Sequence, residues 1–161
     1  SGVATTPFGY VSIRRRHPEA TREWPMSTET LETEAICEGV SRSVPVGPDA
    51  PGIARRFVRD ELDDLGDHVA DGALVDHAEL LVSEVVTVAT LHSGSEEATV
   101  AVVADGKRVR VEVSDAHRGF GLENDGPGLG LTIVDWVAPR WGVDLSEPGK
   151  TVWFELEADA P

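Results

Sequence analysis

The chain has 161 residues, a length that fits one domain with flanking segments, and its 40% hydrophobic content is enough for a core. Its formal net charge of −15, from 29 acidic and 14 basic residues, argues against direct binding to nucleic acid or to an anionic membrane. No run is long and apolar enough for a transmembrane span, no signal peptide is recognisable, and Cys37 has no partner for an internal disulfide. We therefore expect a soluble cytoplasmic protein.

The first 37 residues are rich in threonine, proline, serine and glutamate and show no sustained hydrophobic periodicity. This composition predicts a disordered or loosely attached extension. Met26 is the only methionine, which suggests the hypothesis that residues 1–25 lie upstream of the natural start or are foreign to it. The folded domain is expected over residues 40–157, followed by a short tail at 158–161.

A predicted edge strand precedes two predicted helices. Residues 41–46 alternate polar and apolar side chains, and proline is tolerated in an edge strand because its missing N–H can face solvent. The first helix begins after Asp49 and ends at Gly66. The second runs over about 72–93 and ends before Gly94. Its apolar residues repeat at helical spacing: Leu74, Ala78, Leu81, Val85 and Ala89.

A β-hairpin is predicted over residues 97–115, where polar and apolar side chains alternate on both sides of Gly106. The valines of its second strand share one face and are expected in the core, whereas Arg108, Arg110 and Glu112 lie on the other face.

A polar stretch at 116–127 has no apolar periodicity and is expected to act as a mobile lid. A short helix over about 129–138 follows, and two strands complete the chain. Because the strands are linked as hairpins, this order predicts an α+β fold. We expect a two-layer sandwich in which helices cover one face of a mostly antiparallel sheet.

The helix at 129–138 begins within a glycine-rich stretch, "GPGLGL", where backbone N–H groups and the helix dipole favour an anion. The stretch is not a dinucleotide fingerprint, because the preceding strand ends well upstream, at Asp115. The sequence "GKT" at 149–151 is not a P-loop either. Asp144 stands where the first glycine of a P-loop belongs, and a strand-like segment follows the threonine.

Four segments taken together, "AELLVSEVVT", "RVEVSD", "GLGL" and "RWGV…GKTVWFEL", resemble the GHKL ATP-binding superfamily of gyrase, histidine kinases and MutL. They are most similar to its small single-domain branch of bacterial anti-sigma factors that are also serine kinases. The resemblance covers about residues 40–157. It implies the two-layer sandwich, binding of ATP or ADP, a homodimer, and a sigma factor or an anti-sigma antagonist as the partner.

The resemblance also implies a nucleotide site. Asp115 matches the aspartate that accepts a hydrogen bond from the adenine amino group, a task suited to a carboxylate because it only accepts. Thr151 matches the threonine of the family's Gly-x-Thr motif, whose hydroxyl lies near adenine. His92 could approach a phosphate. The glycine boxes around the phosphates correspond to Gly119, Gly126, Gly128, Leu129, Gly130 and Leu131. A purely structural role stays open for each of these. Asp115 could be an aspartate at a strand end or turn, and the glycines could form a bend before the helix. Thr151 could belong to a hairpin turn, and His92 could be a histidine at a helix end.

The long second helix departs from the family pattern at one position. The family carries Glu-x-x-x-Asn, whose two side chains share a helix face, and the asparagine binds Mg²⁺. Here Glu84, the candidate general base, is present, but Val88 replaces the asparagine. Valine has no lone pair, while Mg²⁺ requires oxygen ligands. The sequence therefore predicts a defective metal site.

Three functions remain open. The first is an ATP-binding regulatory protein of the anti-sigma-factor type with weak or lost kinase activity. The second is an active ATP-dependent serine protein kinase that phosphorylates an anti-sigma antagonist. The third is a nucleotide-free interaction module.

Arg55 and Arg59 on the first helix are four residues apart and share a face, which predicts a binding surface for an acidic partner. The alternative is a solvated helix face that is balanced by neighbouring aspartates.

Overall fold

The computed structural model describes residues 2–5, 11–16, 38–66, 70–92, 94–116, 129–146 and 149–158. The strands are β1 (Gly2–Thr5), β2 (Val11–Arg16), β3 (Glu38–Pro45), β4 (Glu97–Asp105), β5 (Arg108–Asp115), β6 (Arg140–Ser146) and β7 (Gly149–Glu157). The helices are α1 (Ala50–Leu65), α2 (Gly72–His92) and α3 (Leu129–Val137).

The strands form one sheet in the order β1-β2-β6-β7-β5-β4-β3, and every described pairing is antiparallel. Helix α2 packs between α1 and α3, and α1, α2 and α3 contact β3, β5 and β6 respectively. The α+β sandwich predicted from the hairpin-linked strands is therefore confirmed. None of the described helices is long and apolar enough to cross a membrane.

The core lies between the helices and the facing side of the sheet. All five residues of the predicted α2 stripe are buried, as are the valines of β5 that were assigned to the inner face. Phe57, Val58 and Leu62 bring α1 onto the same core. Hydrophobic periodicity located these elements because burial of one face is what stabilises each of them.

Local signals fix the ends of the helices. Asp49 occupies the N-cap position of α1 without a side-chain capping bond, and Gly66 ends the helix with a φ of 82°. The start of α2 is capped by Asp71, whose Oδ1 accepts a hydrogen bond from the Leu74 N–H at 2.9 Å. Gly106 turns the β4–β5 hairpin with a φ of 60°, a conformation that favours glycine.

The structure differs from the sequence prediction near the N-terminus. Composition predicts a loose extension over residues 1–37, yet β1 and β2 lie within it, and β2 pairs with β6 along Val11–Arg16. Pairing along a strand edge depends on backbone N–H and C=O groups, so it requires no long apolar stripe in the added segment. Residues 6–10 and 17–37 lie outside the described residues.

A second difference concerns the face of the sheet opposite the helices. The sequence assigns Arg108, Arg110 and Glu112 to an outer polar face, but Arg110 is only 1% exposed. Its guanidinium lies 4.1 Å from the ring centroid of Trp153, which is also buried. Arginine becomes buried here because its planar group stacks on an aromatic ring and pairs with Glu112 of its own strand and Glu155 of the neighbouring strand.

Candidate functional site

Asp115, the residue matched to adenine recognition, lies at the end of β5 on the side of the sheet that faces the helices. In the β5–β7 register it stands directly opposite Lys150. The Lys150 Nζ lies 3.1 Å from Asp115 Oδ2 and 3.4 Å from Oδ1, and both side chains are 1% exposed. One ammonium group thus contacts both oxygens of the carboxylate.

Lys150 is not among the predicted site residues, although the sequence carries a signal for its burial. Lys150, Val152, Phe154 and Leu156 occur at every second position, and the last three are core residues. Strand alternation therefore places the lysine on the buried face. The prediction at residues 149–151 was instead based on the comparison with a P-loop and on the match of Thr151 to the adenine site.

Gly149 holds β7 close to the end of β5. A Cβ atom at this position would lie 1.8 Å from the Asp115 carbonyl oxygen and 2.8 Å from the Ala116 Cα. Such a contact with backbone is impossible without a shift of the chain. Glycine is thus required by close approach of the two strands, and this approach fixes the backbone on which Lys150 is mounted.

The structure does not bring Thr151 together with the Asp115 carboxylate. Thr151 pairs with Ser114 across the two strands, and their hydroxyl oxygens are 2.8 Å apart. Both residues alternate with Asp115 and Lys150, so their side chains point to the opposite face of the sheet. The hydroxyl predicted near adenine therefore lies on the other side of β7.

Glu84 and Val88 are on α2, one turn apart and both half-buried, as the i and i+4 spacing predicts. Val88 packs against the hydrophobic core. The adjacent Thr87 donates its hydroxyl hydrogen to the Ser83 carbonyl at 2.7 Å, which ties that oxygen to its own helix. The position of Val88, which the resemblance matches to the metal-binding asparagine, is therefore apolar.

The residues matched to phosphate binding are described in part. Leu129 and Gly130 form the first turn of α3, and the Leu131 side chain is 1% exposed in the core. His92 ends α2, but its side chain lies outside the described part of the chain. Also outside it are Gly119, Gly126, Gly128 and all of the predicted lid except Ala116.

The described residues do not fit an adenine nucleotide with its magnesium ion. Adenine would have to displace an ammonium group that already contacts both oxygens of Asp115. Mg²⁺ would find a valine where the family offers an amide oxygen. The described residues also hold no cluster of histidine, cysteine, aspartate and glutamate suited to another metal ion.

An open groove of about 660 Å³ lies at the same end of the sheet. It is lined by Ser43, Gly94, Ser95, Glu96, Glu97, Thr99, Ser114, Asp115 and Ala116. These lining residues include carboxylates and hydroxyls but no basic side chain. The groove is therefore poorly suited to a phosphate, which basic groups and helix N-termini attract.

The two arginines predicted to bind a partner lie on the exposed side of α1 and reach across to α2. Arg59 forms an ion pair of 2.7 Å with Glu79, and Arg55 donates to the Ser83 hydroxyl at 2.9 Å. The contact with Glu79 raises the pKa of Arg59. The charge of Arg59 is thus paired with a carboxylate of α2, whereas Arg55 contacts a neutral hydroxyl there.

The protein is similar in fold to a known structure, the crystal structure of the RsbU and RsbW domains of Rv1364c from Mycobacterium tuberculosis. The match has a TM-score of 0.62 and 19% sequence identity, and it covers 77% of this chain and 33% of that chain. No protein-family model matches the sequence, and no curated protein matches it either. The chain thus shares its α+β sandwich with a protein that contains an RsbW domain.

Proposed function

We propose that this chain is a regulatory protein of the anti-sigma-factor type, which acts by binding another protein and has lost phosphoryl transfer. The motifs of α2, β5 and β7 support this proposal, together with the sandwich fold and its similarity to a protein with an RsbW domain. Its partner is a sigma factor or an anti-sigma antagonist.

The loss of kinase activity is carried by Val88, which packs against the core at the position of the metal-binding asparagine. Phosphoryl transfer depends almost wholly on positioning and on electrostatic stabilisation by Mg²⁺. Loss of a metal ligand or of its orienting contacts typically reduces activity or metal affinity 10–100-fold. Glu84 alone does not replace the missing oxygen, because a general base does not neutralise charge on the transferred phosphoryl group.

Charge supports a protein partner with a basic surface. At −15 the chain attracts such surfaces at long range, and the DNA-binding face of a sigma factor is one of this kind. We further propose that the protein is a homodimer, as the resemblance implies. The exposed arginines of α1 offer a smaller contact for an acidic antagonist.

A direct binding screen tests the regulatory role. The full-length chain is mixed with each purified sigma factor and each anti-sigma antagonist of its source organism, and complexes are measured by calorimetry and by light scattering. The proposal requires a complex with one of these proteins at a Kd of about 1 µM or below. If none of them binds, the anti-sigma role is wrong.

A kinase assay tests the remaining alternative. Phosphate release from MgATP and phosphorylation of each antagonist are measured for the wild type and for Glu84→Gln. We expect both proteins to stay at the background rate. Turnover by the wild type that Glu84→Gln abolishes would instead establish an active serine kinase.

A further inference from the structure

Asp115 and Lys150 form a buried ion pair at the end of the β5–β7 ladder. These residues face each other across β5 and β7, and the lysine ammonium contacts both carboxylate oxygens, at 3.1 and 3.4 Å. An ionised carboxylate only accepts hydrogen bonds, and an ammonium group only donates them. The amino group of adenine is likewise a donor. Lys150 therefore offers Asp115 the same kind of contact as the base that the resemblance implies.

We propose that Lys150 is an internal ligand of Asp115, which closes the base-recognition position and makes the chain unable to bind adenine nucleotides. Two costs oppose displacement of the lysine by adenine. The neutral amino group is a weaker partner for the carboxylate than an ammonium group. The displaced ammonium, which is 1% exposed, would also lose its contact with a carboxylate while it is buried, which is costly for a charged group.

The surrounding backbone fixes the face of the sheet from which Lys150 reaches Asp115. Gly149 brings β7 so close to Asp115 and Ala116 that a Cβ atom would collide with their backbone. The next residue, Lys150, is held on the helix-facing side by the cross-strand register. Strand alternation prevents the lysine from turning to the opposite face without a slip of β7, which would also expose Val152 and Phe154.

Nucleotide binding by the chain alone is independent of partner binding, so its outcome is distinguishable from that of the regulatory role proposed above. A protein that binds its partner and ignores ADP supports both proposals. A protein that binds no partner and ignores ADP supports only this one.

The first experiment measures nucleotide binding by thermal unfolding and calorimetry, with millimolar ADP in the absence of Mg²⁺, so that Val88 does not limit the result. We expect no shift in the wild-type Tm and no binding heat. Lys150→Thr removes the ammonium group and leaves a small hydroxyl, and we expect ADP to raise its Tm by at least about 2 °C. A wild type that binds ADP, or a folded Lys150→Thr protein that does not, overturns the proposal.

A matched control is available because the chain has two lysines, Lys107 and Lys150. Lys107 is exposed, in the hairpin turn between β4 and β5. Lys107→Thr makes the same chemical change away from Asp115 and is expected to gain no response to ADP. A response equal to that of Lys150→Thr would show that adenine binds elsewhere, contrary to the proposal.

A separate measurement uses GDP, because guanine presents both donors and an acceptor. Binding of GDP by the wild type would also overturn the proposal that the site is closed.

A second measurement needs no variant, in case Lys150→Thr fails to fold. Reductive methylation with ¹³C-formaldehyde labels accessible amines, and the two lysines give separate signals after proteolysis or by NMR. We expect Lys107 to be modified and Lys150 to be protected under native conditions, with no change when ADP is added. Modification of Lys150 on addition of ADP would show that the base displaces the lysine, and would overturn the proposal.

Discussion

Two groups of buried charges lie on opposite faces of β5 and β7, towards opposite ends of these strands, and they are built differently. On the helix-facing side, Asp115 and Lys150 form a pair in which one ammonium contacts one carboxylate. On the opposite side, Arg110 contacts Glu112 at 2.6 Å and Glu155 at 3.3 Å, and it also stacks on Trp153.

The difference lies in how each group responds to the loss of a member. Arg140 also reaches Glu155, at 3.5 Å, so that carboxylate keeps a cationic neighbour if Arg110 is removed. Asp115 contacts the Lys150 ammonium through both of its oxygens, at 3.1 and 3.4 Å, so removal of Lys150 takes away both of these contacts at once. Charge shared among several groups is typical of a structural network, whereas the contact between Lys150 and Asp115 lies at the position that the resemblance matches to adenine recognition.

The largest effect is expected from Lys150→Met, which leaves the Asp115 carboxylate buried without its ammonium partner. Breaking a buried pair in this way typically costs about 3–5 kcal/mol of unfolding free energy, and urea unfolding measures it. The double variant Asp115→Asn/Lys150→Met removes both charges and should recover most of the loss. A single variant that loses less than about 1 kcal/mol would show that the pair is solvated and not closed.

The close approach of β7 to β5 gives the second prediction. Gly149→Ala should destabilise the protein by up to about 3 kcal/mol, because the added methyl group collides with backbone, which cannot rotate away. Gly72→Ala is the matched control, since a Cβ there meets nothing within 4 Å. We expect the control to leave the urea midpoint unchanged or to raise it. Equal losses for the two variants would contradict the assigned contact.

The network on the other face should be more tolerant. Arg110→Met is expected to cost about 2 kcal/mol, the usual penalty when one partner of a buried hydrogen bond is removed. The cost stays below that of Lys150→Met because Arg140 remains close to Glu155. Urea unfolding of both variants under one condition makes the comparison. A larger loss for Arg110→Met would reverse the contrast between the two groups.

The same contrast shows what sequence reasoning could and could not reach. Periodicity located α1, α2 and the β4–β5 hairpin, since each must bury one regular face. It also placed Glu84 and Val88 on one side of α2. These are properties of a single element, and local spacing determines them.

The partner of Asp115 belongs to the register between β5 and β7, which local spacing does not determine. The sequence prediction named Thr151, whereas the register places Lys150 opposite Asp115, and a shift by one position moves a side chain to the other face of the sheet. The burial of Arg110 was likewise missed because it depends on Trp153, 43 positions away by sequence number. The strands at the N-terminus were missed because backbone pairing leaves little trace in composition.

The smallest effect is expected where a charged pair is exposed. Arg59 is 53% exposed in its contact with Glu79, so solvent and salt screen the attraction, and ordering two long side chains offsets much of what remains. We expect Arg59→Ala to leave the urea midpoint unchanged within error, at low and at high salt. A clear loss of stability would mean that this contact holds α1 on α2. Because Arg59→Glu places a carboxylate beside Glu79, the charge reversal Arg55→Glu/Arg59→Glu needs its own urea midpoint before it serves as a probe of partner docking. If that midpoint is also unchanged, slower and salt-dependent association of the variant reflects the surface itself and not a weakened fold.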